Sequence, residues 1–462
     1  MMKIRFTAVQ AVTFSTNIIV ARFGSKTASI QDFVIFRSSR SGGDRFEPSK
    51  REKMPSFGRY VLSTLALFAL ASECAALGVV YKTGCCPKGQ DVPDIAKKTG
   101  DFIEAFGYGV EIHEIVTEDG YIVTLHRVVM QSGESSHGPA VLIQHGIAGS
   151  SILWVLIQER SLPFVLARAG YDVWLLDTRG NSYSKKHLYL RSADQEYWRY
   201  SFHEQGVFDL AAATDYVRKV TGQGKIFYIG HSRGTTMAFA LLSTRPEYNE
   251  KFHLLSLYAP ITYIRNVANP IVKLMFSDTV LPKLKGLVNS LQARIVPGSS
   301  DSAIQFREIL CNRTQTVCMD IIFSFSGYDY DLLNKTMIPI YFSHYPEGGA
   351  IQEYLHYLQI GNTDEFRQFD YGPVKNMELY GSDTPPLYDL ERITAPLSLH
   401  YSDNDLLVNP HDFGHLVSQL KSVVRIIRVP FKKFSHTDFN WATEADRYVY
   451  EPTIELMNMF IH

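Results

Sequence analysis

The chain of 462 residues is 45% hydrophobic and 13% aromatic, enough apolar side chain for a sizeable core. Its formal charge of −1 gives no electrostatic reason to expect a nucleic-acid partner. No HExxH, paired CxxC or P-loop occurs, so neither a catalytic metal nor a nucleotide cofactor is expected.

Residues 1–53 are basic and Ser-rich, with no acid before Asp32. Two readings stand for them: a mitochondrial transit peptide, or an upstream extension of the gene ahead of a working start at Met54. The second is preferred, because residues 54–71 read as a secretory signal. Arg59 supplies a basic start, Tyr60 to Ala71 the apolar run, and Ala69 with Ala71 an A-x-A cleavage site. The run is too short to span a bilayer and Glu73 interrupts any extension toward Val79-Val80, which counts against a third reading, a signal-anchor. A mature chain starting near Ser72 is expected, with residues 72–93 a linker.

A core of alternating strands and helices is expected over residues 94–261 and 386–462. Ala140 to Gln144 reads as a buried strand, followed by the loop His145-Gly146-Ile147-Ala148-Gly149. Ile226 to Ile229 is a second β-branched and aromatic run. It meets Gly230-His231-Ser232-Arg233-Gly234, after which an apolar helical stretch begins at Met237. G-x-S-x-G between a strand and a helix is the nucleophile elbow of α/β hydrolases, with glycines where a Cβ would collide with backbone. Ser232 is the candidate nucleophile, and the backbone N–H groups of Arg233 and Ile147 are the candidate oxyanion donors.

After the strand Leu254 to Ala259 the strand–helix rhythm stops. Residues 262–385 are crowded with aromatics, among them Phe323, Phe325, Tyr341 and Tyr357. An insertion there belongs at the carboxyl ends of the strands, as a cap with a lid. Val280-Leu281-Pro282 with Lys283, Lys285, Leu287 and Leu291 is the candidate amphipathic lid, suited to peripheral contact with a lipid surface. Pro396 to Tyr401 is a later strand, followed by Asp403 and Asp405. Either carboxylate fits the acid of a triad, with Asp405 favoured because Leu406 and Leu407 follow it. Val423 to Phe431 is the last strand, and His436 in the loop beyond is the candidate base.

These segments together resemble the acid lipase family, which contains lysosomal acid, gastric, lingual and insect gut lipases. The resemblance runs from about Asp94 to the C-terminus. It includes the opening Gly107-Tyr108 with His113 to Tyr121, Gln144-His145-Gly146, and Arg179-Gly180-Asn181 with Ser184. It continues through Ser201-Phe202, Asp209-Leu210, Asp405-Leu406-Leu407 with Pro410, and His436 with Asp438-Phe439 and Trp441. The resemblance implies an α/β-hydrolase fold, a mostly parallel doubly wound sheet with an inserted, mainly helical cap. It implies a Ser232, Asp405, His436 triad and hydrolysis of neutral lipid esters, triacylglycerol or cholesteryl ester, without a cofactor. It further implies a disulfide between Cys311 and Cys318. The sequons Asn312-Arg-Thr and Asn334-Lys-Thr agree with passage through the secretory pathway, to a secreted or lysosomal location.

Three positions depart from the family pattern: Arg233 where Gln is usual, His203 where Asp is usual, and Asp177 where Asn is usual. A guanidinium at 233 has more than one reading. Close to the site it either lowers the pKa of His436 by like-charge repulsion or binds an anionic group on the substrate, which favours charged acyl substrates; otherwise it points away along the helix and pairs with a carboxylate. Two other functions compete with lipid ester hydrolysis. One is an esterase or thioesterase for smaller or charged acyl groups; the other is a non-catalytic lipid carrier, which retention of Ser232, Asp405 and His436 disfavours. An epoxide hydrolase requires Asp where Ser232 stands.

Overall fold

The structure is a computed structural model. It describes residues 97–130, 138–291, 294–296, 298, 307 and 310–461, and three short strands in the N-terminal segment. Chain contacts divide the molecule into Met1–Arg59 and Tyr60–His462. In the first unit β1 (Ala11–Thr13), β2 (Ile18–Ala21) and β3 (Val34–Arg37) form an antiparallel sheet. The expected signal at 54–71 and linker at 72–93 lie outside the described residues.

The second unit is built on a nine-stranded sheet. It opens with an antiparallel hairpin, β4 (Gly109–Val116) and β5 (Tyr121–Val129), closed by a turn in which the Gly120 amide donates to the Thr117 carbonyl at 3.0 Å. This is the segment read as Gly107 to Tyr121. The two-residue strand β8 (Lys186–His187) also pairs with β5. Five buried strands follow: β6 (Ala140–Gln144), β7 (Asp172–Asp177), β9 (Ile226–His231), β10 (Phe252–Tyr258) and β13 (Leu397–Tyr401). The edge strand β14 (Val423–Arg428) completes the sheet.

The order is β14-β13-β10-β9-β6-β7-β5-β4, parallel from β14 through β7. Near-continuous apolar runs such as Ile226 to Ile229 are what strands covered on both faces require. The chain leaves β6 for β7 on one side and later places β9 on the other. Right-handed crossovers to opposite sides put their helices on opposite faces, so the switch point falls between the carboxyl ends of β6 and β9. His145-Gly146 and His231-Ser232 emerge side by side at that point.

Between β10 and β13 the described chain is mostly helical. Helices span Pro270–Met275, Leu281–Ser290, Gln315–Ser326, Ile338–His344, Ile351–Thr363 and Pro373–Tyr380. One small antiparallel pairing joins β11 (Ile295–Val296) to β12 (Gly349–Ala350). This insertion leans on the loops at the carboxyl ends of the strands. The Glu347 amide donates to the Ala148 carbonyl at 2.7 Å, and the His436 amide to the Ser326 carbonyl at 2.9 Å. Cys311 and Cys318 are bonded, with Cα atoms 5.7 Å apart. In helix Leu281–Ser290 the side chain of Leu281 is buried while Leu287 and the following Leu291 are more than half exposed.

Candidate active site

Ser232 sits between β9 and helix Arg233–Thr244 with φ 53° and ψ −116°, a backbone conformation that non-glycine residues rarely hold. The surroundings over-determine it. Its amide donates to the Tyr258 carbonyl at 2.9 Å, and its own carbonyl accepts from Thr235 at 2.8 Å. A Cβ at Gly230 would come 2.7 Å from the Tyr228 ring, and one at Gly234 would come 2.9 Å from the Gln144 carbonyl oxygen. The glycine requirement read from the motif therefore has named opponents.

His436 lies in the loop beyond β14, and its Nδ1–H donates to Asp405 Oδ2 at 2.7 Å in a buried contact. Asp405 Oδ1 accepts from the Leu407 amide at 2.8 Å and the Val408 amide at 3.0 Å. The leucine pair thus matters through backbone donors as well as packing. With Nδ1 as donor, Nε2 is left as the acceptor, the atom a general base needs. Asp403 instead faces solvent, with Oδ1 accepting from Arg428 Nε at 2.9 Å. That geometry separates the two aspartates, which the sequence left adjacent.

The loop after β6 approaches the serine closely. A Cβ at Gly146 would stand 3.3 Å from Ser232 Cβ. The Gly146 carbonyl accepts from His145 Nδ1–H at 2.9 Å and from the Gly149 amide at 3.3 Å. In a trans peptide the N–H points opposite to the C=O, so the Ile147 amide is aimed away from His145. The N–H of Arg233, in the first turn of its helix, has no acceptor within that helix. The two candidate oxyanion donors, Ile147 and Arg233, thus directly follow Gly146 and Ser232, whose positions approach each other. Asp177 anchors the far end of the loop through the Ser151 amide at 2.8 Å. Burial works to raise its pKa, but the neighbouring His126 and His145 hold it below the ordinary value.

The side chain of Arg233 resolves its readings. It is buried, with Nη1 3.2 Å from Glu353 Oε1 and Nη2 donating to Thr178 Oγ1 at 2.9 Å. Nη2 also lies 3.1 Å from His145 Nδ1. Burial first, and the guanidinium second, push the His145 pKa down to about 3, so this ring is a neutral clasp for the oxyanion loop. The guanidinium is thus paired with the Glu353 carboxylate, which arrives from helix Ile351–Thr363. The other departure, His203, places Nδ1 2.8 Å from the Tyr388 hydroxyl, and burial keeps its pKa below the ordinary value.

Several residues of the site escaped sequence reasoning. The ring of His231 lies 4.9 Å from that of His436, and its Nε2–H donates to the His436 carbonyl at 2.8 Å. Burial first, then His436, drive the His231 pKa far down, which keeps it neutral. As the variable position of G-x-S-x-G it carries no signal in the motif. Glu353 and Ser326 are remote in sequence and equally silent.

Comparison with known proteins bears on the family of the chain. Residues 139–284 match a profile described as the alpha/beta hydrolase fold, and residues 99–158 one described as a partial alpha/beta-hydrolase lipase region. The chain is 37% identical to Lipase 3 of Drosophila melanogaster over 78% of its own length and 93% of that protein. The chain belongs to the acid lipase family. It is 33% identical to gastric triacylglycerol lipase of Bos taurus, over 79% of its length and 92% of that lipase. A solved structure from Sulfolobus solfataricus shares the fold at a TM-score of 0.51 and 17% identity, covering 76% of this chain and 95% of that one. This acid lipase family member is a carboxylic ester hydrolase acting on lipid esters.

Arg233 and Glu353 allow a stability prediction for the enzyme. Replacing Arg233 with Gln leaves Glu353 buried without its cation, an expected loss of about 3 kcal/mol near neutral pH. Burial already raises the Glu353 pKa, an effect the guanidinium opposes, so in acid the stranded carboxylate takes a proton and the loss shrinks. Urea unfolding at two pH values checks this, and adding Glu353→Gln should restore most of the stability. A loss independent of pH would contradict the pairing. Turnover of neutral esters by folded Arg233→Gln should survive, because the backbone amide is unchanged.

Proposed function

We propose that the protein hydrolyses triacylglycerols or cholesteryl esters through an acyl-enzyme on Ser232. The 2.7 Å contact between His436 Nδ1 and Asp405 Oδ2 carries this reading, because it leaves His436 Nε2 ready to take the serine proton. As Oγ bonds the ester carbonyl carbon, the Ile147 and Arg233 amides hold the developing oxyanion. The carbon–alkoxide bond then breaks, and the leaving alcohol takes the proton from His436. Water repeats the cycle, transferring its proton to His436 and releasing the fatty acid. The reading for charged acyl substrates loses its main support, since the Arg233 guanidinium is engaged by Glu353.

The helical insertion at 262–385 acts as the cap in this proposal, and helix Leu281–Ser290, with Leu287 exposed and the exposed Leu291 just beyond it, as the part that meets a lipid surface. Among the described residues no helix is long and apolar enough to cross a membrane. A secretory route, to a secreted or lysosomal location, is supported by the leader at 54–71, the Cys311–Cys318 bond, and the sequons at Asn312 and Asn334. Native protein tests both parts at once. Its N-terminus should lie near Ser72 with glycan on Asn334, and it should release fatty acid from emulsified triacylglycerol faster than from a soluble short-chain ester. A mature start upstream of Met54 would refute the route, and the reverse substrate ranking would refute the lipid preference.

A further inference from the structure

Two buried carboxyls meet behind the loop that carries His436. Asp438 lies two residues beyond the imidazole, and Asp329 lies in the insertion just after helix Gln315–Ser326; both are essentially inaccessible to solvent. Asp329 Oδ1 accepts from the Asp331 amide at 2.8 Å and the Leu332 amide at 3.2 Å. Asp438 Oδ2 accepts from the Ser435 amide. The remaining oxygens, Asp329 Oδ2 and Asp438 Oδ1, are buried with no donor among the described residues, and the two side chains are within hydrogen-bonding reach of each other.

The backbones on either side are joined around this pair. The His436 amide donates to the Ser326 carbonyl, the Thr443 amide donates to the Leu332 carbonyl at 2.8 Å, and Leu333 bridges Ala442. We propose that Asp329 and Asp438 are positioning residues that hold one proton between them and so clamp the His436 loop to the insertion. With the proton present, one carboxylic acid donates to one carboxylate and both free oxygens are satisfied. Without it, two anions face each other in a dry site, and the clamp opens.

The groups around the pair do not supply a replacement charge. Tyr341, on helix Ile338–His344, stacks on Trp441 at 4.7 Å, and burial followed by Asp438 itself holds its hydroxyl neutral. Lys433 is exposed and bound to Asp331 at 2.7 Å. His436 is committed to Asp405. Burial, reinforced by Asp329, lifts the Asp438 pKa far above the carboxylate range, so the folded protein holds a proton that the unfolded chain has lost. Stability from this group is complete below the unfolded carboxyl pKa and declines as pH rises toward the folded one. The pair thus favours the assembled site in acid.

This inference rests on His436 being the base, and its test separates the two claims. In Asp329→Asn the amide oxygen takes the Asp331 and Leu332 donors while the NH2 satisfies Asp438 at every pH. The alkaline limb of kcat/KM should move up by about one pH unit, roughly a tenfold gain above the wild-type midpoint, with the acid limb unmoved. The fall of Tm with rising pH should flatten in the same variant. Glu347, whose pKa burial raises to about 7, also loses its proton in this range, so the comparison is between variant and parent rather than a wild-type profile alone. Asp438→Asn should act alike with the roles exchanged, and serves if the first variant fails to fold. An unchanged Tm slope and alkaline limb would overturn the proposal, as would failure of both variants to fold. Fluorophosphonate labelling of the wild type in acid tests Ser232 and His436 independently, while the Tm slope needs no activity.

Discussion

Replacing Ser232 with alanine is expected to abolish covalent labelling by a fluorophosphonate and to lower kcat about 10^6-fold. The size follows from interdependence. His436 has no hydroxyl proton to take once Oγ is absent, leaving only substrate binding and the backbone oxyanion donors. Ser232 holds its strained φ of 53° through Tyr258, Gly230 and Gly234 rather than through its hydroxyl. The alanine variant should therefore keep the parental unfolding midpoint while losing turnover. Persistent labelling of the folded variant would move the nucleophile elsewhere.

Asp405→Asn should lower kcat by about 10^4-fold, whereas Asp403→Asn should leave it nearly unchanged. The Leu407 and Val408 amides both point at Oδ1 of residue 405, so an asparagine there must turn its oxygen toward them. Its NH2 then faces His436 Nδ1, which has to accept. That forces the imidazole proton onto Nε2, where it blocks abstraction from Ser232. Asp403 contributes only an exposed ion pair with Arg428, of the kind worth less than about 1 kcal/mol. Parallel kcat measurements on the two folded variants decide the matter. The opposite ranking would relocate the acid to Asp403.

Much of this site was legible in the chain because its constraints are local. A tight turn between strand and helix permits little besides glycine at 230 and 234, and the turn displays the residue between them. Strands buried on both faces read as apolar runs, which fixed β6, β9, β10 and β13 and hence the loops that follow them. The edge strand β14 was legible for a different reason, its β-branched composition, although Val424 and Ile426 are half exposed.

What the sequence could not supply were relations between side chains distant in the chain. From residues alone Asp403 and Asp405 were equivalent in type and two positions apart. The fold separated them by giving one a pair of amides and a histidine, and the other a solvated arginine. Arg233 had more than one reading in sequence because the effect of its charge depends on what faces it, and Glu353 comes from a helix 120 residues later. The same holds for Asp438, whose proton affinity is raised by burial and by Asp329 from the insertion rather than by its own identity. Local backbone geometry is encoded in neighbouring residues, so the sequence by itself determined the elbow, the strands and their loops. Electrostatic character depends on the dielectric and on charges brought near by folding, so only the tertiary structure showed the contact between Asp405 and His436, what Arg233 binds, and which carboxyls meet behind the His436 loop.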